Sequence, residues 1–241
     1  MSARFEELDR RPTPMGVISL RRRWDPVFRT DAYEIKLDDE YLMSSLFTVA
    51  EIEVARLALA ELAGRDGLDV AVGGLGLGFT AETVLEDPGV RSLVVIDALG
   101  EVIDWHEREL IPAGATLNAD PRCRLVHGDF FAMAAGDPGL DPQEPGRRFH
   151  AVVVDIDHSP RHVLHPSHAP FYEPAGLRRL TELLHPGGVF TLWSNDPPDE
   201  EFTAALADAF AAARAEVVTF PNPLQGREAA NTVYVATTAA P

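Results

Sequence analysis

From residue 68 onward, short apolar runs alternate with helix-like stretches. The runs fall at 68–72, 92–97, 123–126, 150–155 and 189–193. They are continuously apolar, as in strands covered on both faces. Helix-like stretches lie at 79–87, 100–110, 174–184 and 199–213. This alternation predicts a mainly parallel sheet with right-handed crossovers. The end differs. Runs 216–220 and 232–237 are separated by a gap with little room for a crossover helix, so this pair is expected to be antiparallel.

Upstream the pattern is weaker. The first thirty or so residues read as polar and turn-rich, with Arg21-Arg22-Arg23 and Trp24 on a solvated face. Runs 32–37 and 40–44 flank Asp38-Asp39 and predict a β-hairpin. Residues 1–47 are therefore expected to form a small β-rich segment, and 48–241 an α/β domain. Thr48, with Glu51 three positions on, reads as a capping box for a helix whose apolar stripe is 49, 52, 54, 57 and 59. The Gly- and Pro-rich stretch 135–148 reads as a surface loop. An α/β sheet ending in an antiparallel hairpin is the arrangement of the class I methyltransferase fold, a Rossmann-like architecture.

Charge narrows the function classes. With 21 Lys and Arg against 38 Asp and Glu, the formal net charge is −17. Nucleic acid and acidic membrane surfaces need a cationic face and are disfavoured. A small cationic substrate, such as an amine, is compatible with the acidity. The 46% hydrophobic content suffices for a core, and the lone Cys123 leaves neither an internal disulfide nor a multi-cysteine zinc site. The charged start lacks a signal-peptide core and no apolar run is long enough to span a bilayer, so a cytoplasmic protein is expected.

Candidate chemistry clusters after the predicted strands. Gly73-Gly74-Leu75-Gly76-Leu77-Gly78 follows the first and precedes a helix, a turn in which Gly74, Gly76 and Gly78 let the backbone approach a ligand. Asp97 ends the second strand, about 20 residues on, the spacing at which an acid reaches a ribose. Asp129 and Phe130 follow the third; Asp129 suits an adenine amino group, or a helix N-cap, or both. The fourth ends in Asp155-Ile156-Asp157-His158, where open α/β sheets place their ligand crevice. Histidines 158, 162, 165 and 168 crowd the next loop, but no register sets them at ligand spacing, and no metal is assigned.

The stretch from Gly73 to Pro160 resembles the spermidine synthase (polyamine aminopropyltransferase) family, in weaker form from about Leu37 to the C-terminus. That family's GGGDGG loop stands here as GGLGLG, and its DSSDP loop as DIDHSP. The resemblance implies that Asp97 binds ribose, Asp129 contacts adenine, Asp155 accepts the proton and Tyr172 belongs to the acceptor site. It departs at two positions: Gly76 replaces the acid that pairs with the ammonium of decarboxylated S-adenosylmethionine, and His158 replaces the acid that holds the acceptor amine. Glu51 and Glu53 stand near the place of the family's acceptor-binding tyrosine and glutamine.

Loss of the acid at 76 removes a repulsion against full S-adenosylmethionine. The leading expectation is therefore S-adenosylmethionine-dependent methyl transfer to a small amine. Asp155, Asp157 and His158 are its catalytic candidates, and Glu51 and Tyr172 contact the acceptor. The alternatives are aminopropyl transfer from decarboxylated S-adenosylmethionine, and nucleoside binding without catalysis. A homodimer is compatible with either enzyme reading.

Overall fold

The computed structural model describes residues 5–240. Strands β1 (Phe5–Thr13), β2 (Gly16–Asp25), β3 (Thr30–Leu37) and β4 (Glu40–Ser44) form a four-stranded antiparallel sheet in sequential order. The hairpin expected at 32–44 is present. Its turn residue Asp38 adopts a left-handed φ of +52°, which a short polar side chain tolerates.

The stretch read as polar and turn-rich is instead β1 and β2. Charge hid the strands, because their polar residues pair with one another across the sheet. Arg22 meets Glu6 at 2.6 Å, and Arg23 meets Glu34 at 2.6 Å and Asp25 at 2.7 Å. The apolar positions of the sheet face inward: Ile18, Leu20 and Ile35 are buried and pack in the same cluster as Val70, Val72 and Val95 of the main sheet. Polar anchors fix this docking. Trp105 Nε1 donates to Asp9 at 2.8 Å, and Arg11 donates to Asp104 at 2.6 Å.

The main body follows as α1 (Val49–Ala60), β5 (Leu68–Gly73), α2 (Phe79–Leu85), β6 (Val90–Asp97), α3 (Gly100–Glu107), α4 (Ala113–Ala119), β7 (Cys123–His127) and α5 (Phe130–Ala135). Then come β8 (Phe149–Val154), a 3-10 turn (Pro166–Tyr172), α6 (Pro174–Glu182), β9 (Leu184–Ser194), α7 (Glu200–Ala209), β10 (Ala212–Asn222) and β11 (Arg227–Thr237). The seven strands lie in the order β10-β11-β9-β8-β5-β6-β7. Strands β7, β6, β5, β8 and β9 run parallel, and β11 pairs antiparallel with both β9 and β10. This is the expected Rossmann-like sheet with its C-terminal hairpin.

Three local expectations are corrected. Thr48 sits at the start of α1 but makes no side-chain cap, its ψ of 6° lying outside the extended backbone of an N-cap. The last helix ends at Ala209, and 212–213 already belong to β10. The 135–148 loop carries no strand, and Asp141 in it is wholly buried, gripped by Arg124 at 2.5 Å and Arg147 at 2.9 Å. No helix among the described residues is long and apolar enough to cross a membrane.

Candidate active site

The strand order reverses beside β5: the chain runs outward through β6 to β7, then returns to lay β8 on the other side of β5. Open α/β sheets bind ligands at the strand carboxyl ends flanking such a reversal. A cavity of ≈ 390 Å³ lies there, within the roughly 300–1,000 Å³ of small-molecule sites. Its floor is made by Gly74, Asp97, Asp129, Asp155 and Trp193, which end or follow the strands. Its roof is apolar and comes from the small sheet, through Ile18, Ile35, Leu42 and Met43. The N-terminal strands thus close the site.

Two glycines shape the floor. Gly74 has φ +94°, and a Cβ there would overlap the Asp155 carbonyl oxygen, so glycine lets the ends of β5 and β8 meet. Gly76 has φ +47°, and a Cβ there would overlap Met43 Sδ. The same sulfur accepts the Leu77 N–H at 3.1 Å, which ties the roof to the loop. His106, buried behind the loop, donates from Nε2 to the Gly76 carbonyl at 2.9 Å.

The acids divide the cavity by role. Asp97 accepts the Leu75 N–H at 2.9 Å and the Leu99 N–H at 2.8 Å, which fixes its carboxyl at the cavity wall. Burial raises its pKa, and the backbone N–H groups hold part of that rise back. Asp129 caps α5, with Oδ1 accepting from Phe131 N at 2.9 Å and Ala132 N at 3.1 Å. It also lines the cavity, so the N-cap role leaves room for a ligand contact. Asp155 Oδ2 lies 3.0 Å from the Thr80 hydroxyl. Burial pushes Asp155 up to about 6. Burial, then repulsion from Asp155, pushes Glu51 up to about 8. The two carboxyls titrate as a pair that retains a proton near neutrality. Close carboxyls held apart from water are a proton acceptor, or a receptor for a cation.

No family model matches the chain. A spermidine synthase solved in complex with the transition-state analogue AdoDATO superposes with a TM-score of 0.72 at 15% identity, covering 98% of this chain and 74% of that one. The spermidine synthase from Thermotoga maritima gives 0.71 at 14% identity, with the same coverages. The chain has the spermidine synthase fold.

Within this spermidine synthase fold the expected site residues separate into two groups. Gly74, Gly76, Asp97, Asp129, Phe130, Asp155, His158 and Glu51 meet around the one cavity. His158 also lies 3.2 Å from Glu40 of β4. Gly78, Asp157 and Tyr172 do not line the cavity. Gly78 turns toward α4, where a Cβ would lie 2.6 Å from that of Ala113. Asp157 faces inward, accepting from the Tyr172 hydroxyl at 2.8 Å, His168 Nδ1 at 2.9 Å and Leu164 N at 2.7 Å. Tyr172 is buried with it, and burial followed by the Asp157 charge raises the phenol well above its ordinary pKa. Asp157 and Tyr172 thus form one buried hydrogen-bonded unit outside the cavity lining.

The loop histidines diverge: His162 bonds Asp196 at 2.7 Å, His165 bonds Ser167 at 2.7 Å, and His168 bonds Asp157. At the opposite end of the sheet, Asp69, His150 and His185 bring ligand atoms within 4.8 Å of one another. Arg91 and Arg147 already occupy Asp69, and His150 Nδ1 accepts the Asp69 N–H, so the cluster is an ion-pair hub. Reading the sequence missed Met43, Thr80, His168 and Trp193 as residues at or touching the cavity. Thr80 follows the glycine loop and was within reach of a motif reading, and His168 stands in the histidine-rich loop; Met43 and Trp193 carry no local signal.

Proposed function

We propose that this chain is a transferase that moves an alkyl group from the sulfonium of an S-adenosyl-type nucleoside to an amine, and that the group is aminopropyl. The observation that carries the reading is that Glu51 and Asp155 line one cavity with Gly74 and Gly76 of the glycine loop. An alkylamine, with a pKa of about 10, must give up a proton before it can attack. Asp155 accepts that proton, and the nitrogen lone pair forms a C–N bond as the C–S bond breaks. The sulfonium leaves as a neutral thioether. Two carboxyls beneath an apolar roof also favour a cationic acceptor over a neutral one. Alignment of nitrogen, carbon and sulfur by the closed roof supplies the remaining rate. On the donor side, Asp97 and Asp129 offer acceptor oxygens to ribose hydroxyls and a base amino group. Aminopropyl transfer is favoured because the structural neighbours are spermidine synthases.

Methyl transfer from full S-adenosylmethionine remains as a second reading on one observation. Position 76 is glycine under Met43 Sδ, with no carboxylate to pair with an aminopropyl ammonium or to repel the full donor. Incubation with each donor and a panel of di-, tri- and aryl amines, read by product mass, tests both. A gain of one aminopropyl group supports the first reading and a gain of one methyl group the second. Tight nucleoside binding with no turnover on any amine would leave a binding protein.

A further inference from the structure

His168 stands in the 3-10 turn after β8, and its ring lies flat against Phe131 of α5, centroids 3.9 Å apart and planes 21° apart. Asp129, which caps the Phe131 N–H, and His168 line the same cavity. Behind it, Asp157 is wholly buried and gathers three donors: His168 Nδ1, the Tyr172 hydroxyl and Leu164 N. A carboxylate only accepts, so Nδ1 carries a proton, and the tautomer this bond selects presents Nε2 as an acceptor. His168 lines the cavity, and Nε2 has no protein partner among the described residues. A buried acid holding one tautomer of a ring whose far edge meets a ligand chamber is an orienting device.

We propose that His168 is a specificity-determining residue for the nucleobase. Its Nε2, together with Asp129, selects a purine bearing an exocyclic amino group over its oxo counterpart. The inference rests on the nucleoside reading above and adds the residue that discriminates. An amino group has two N–H bonds for two acceptors; an oxo group would turn its own lone pairs against both. The stack on Phe131 holds the ring so that this choice costs little rotamer entropy on binding. Asp157 and Tyr172 act through His168 and are positioning residues.

Calorimetry on the full chain with S-adenosylhomocysteine and S-inosylhomocysteine tests this. The unaltered protein is expected to prefer the adenosyl compound by roughly tenfold or more. His168→Phe keeps the stack but removes the acceptor, and should lower that preference about tenfold, weakening the adenosyl compound and relieving the repulsion of the inosyl one. It also strips Asp157 of a donor, so the double variant Asp157→Asn/His168→Phe, which leaves no buried charge unpaired, is measured beside it with a thermal melt. An unchanged preference in either folded variant overturns the proposal while the nucleoside reading stands. Failure of the unaltered protein to bind either compound overturns both.

Discussion

The Thr80 hydroxyl lies 3.0 Å from Asp155 Oδ2, and the same oxygen lies 3.1 Å from the main-chain carbonyl of Glu51. One hydroxyl proton therefore has two acceptors, the Asp155 carboxylate and the Glu51 carbonyl. When Asp155 is ionised, Thr80 donates to it. When Asp155 takes a proton, Thr80 can turn its own to the Glu51 carbonyl. The contact links α1, α2 and the end of β8 beside the cavity that both carboxyls line.

The first prediction concerns Asp155→Asn. The amide keeps the shape but accepts no proton at neutral pH. Nucleoside affinity should stay within about threefold while turnover falls roughly 100-fold or more, the range for loss of a general base. Single-turnover kinetics with saturating donor measure it. Full turnover in the variant would remove Asp155 from the reaction.

Glu51 makes a stability prediction with a defined direction. Its pKa is raised from 4.5 to about 8, by burial first and by Asp155 second. The folded state thus binds the proton more tightly than the unfolded state. This group's contribution is most favourable below the ordinary value and is lost as pH rises toward about 8, after which it levels off. Glu51→Gln removes the penalty of the charged form. The Tm of the variant should exceed that of the unaltered protein by roughly 4 °C or more at pH 8.5 and match it near pH 4.5. Equal Tm differences at both pH values would contradict the buried pair.

Asp97→Ala tests the donor end separately. The variant loses an acceptor held in place by Leu75 N and Leu99 N, and leaves those two N–H groups to water or ligand. S-adenosylhomocysteine affinity should fall about tenfold or more, the worth of hydrogen bonds to a charged group. Calorimetry on the folded variant decides it.

The parallel sheet, the C-terminal hairpin and the crevice acids were legible because each rests on a short local pattern. Continuous apolar runs mark doubly covered strands, and Gly74, Asp97 and Asp155 stand where such strands end. What escaped depends on contacts distant in sequence. β1 and β2 look polar until Arg22 and Arg23 find Glu6 and Glu34. Asp157 looks as accessible as Asp155 from its spacing, yet Asp155 lines the cavity and Asp157 bonds Tyr172 and His168. Met43 reaches Gly76 only because the small sheet folds over the large one. A loop such as 135–148 reads as surface from its Gly and Pro content, and nothing local announces that Asp141 is the buried partner of two arginines.

Position 76 separates the two transfer readings. Gly76→Asp alone should destabilise the chain by about 1–3 kcal/mol, since it combines φ +47° with an overlap on Met43 Sδ. Met43→Ala opens that space, and Asp is among the residues that tolerate a left-handed backbone. In the double variant Met43→Ala/Gly76→Asp, a carboxylate stands where an aminopropyl ammonium would lie and where the carboxylate of full S-adenosylmethionine would be repelled. Relative to Met43→Ala, the ratio of affinities for decarboxylated over full S-adenosylmethionine should rise roughly tenfold. Competition binding with both donors measures the ratio without depending on turnover. An unchanged ratio in a folded double variant would mean that Gly76 does not face the donor tail. The absence of an acid there would then no longer favour methyl transfer over aminopropyl transfer.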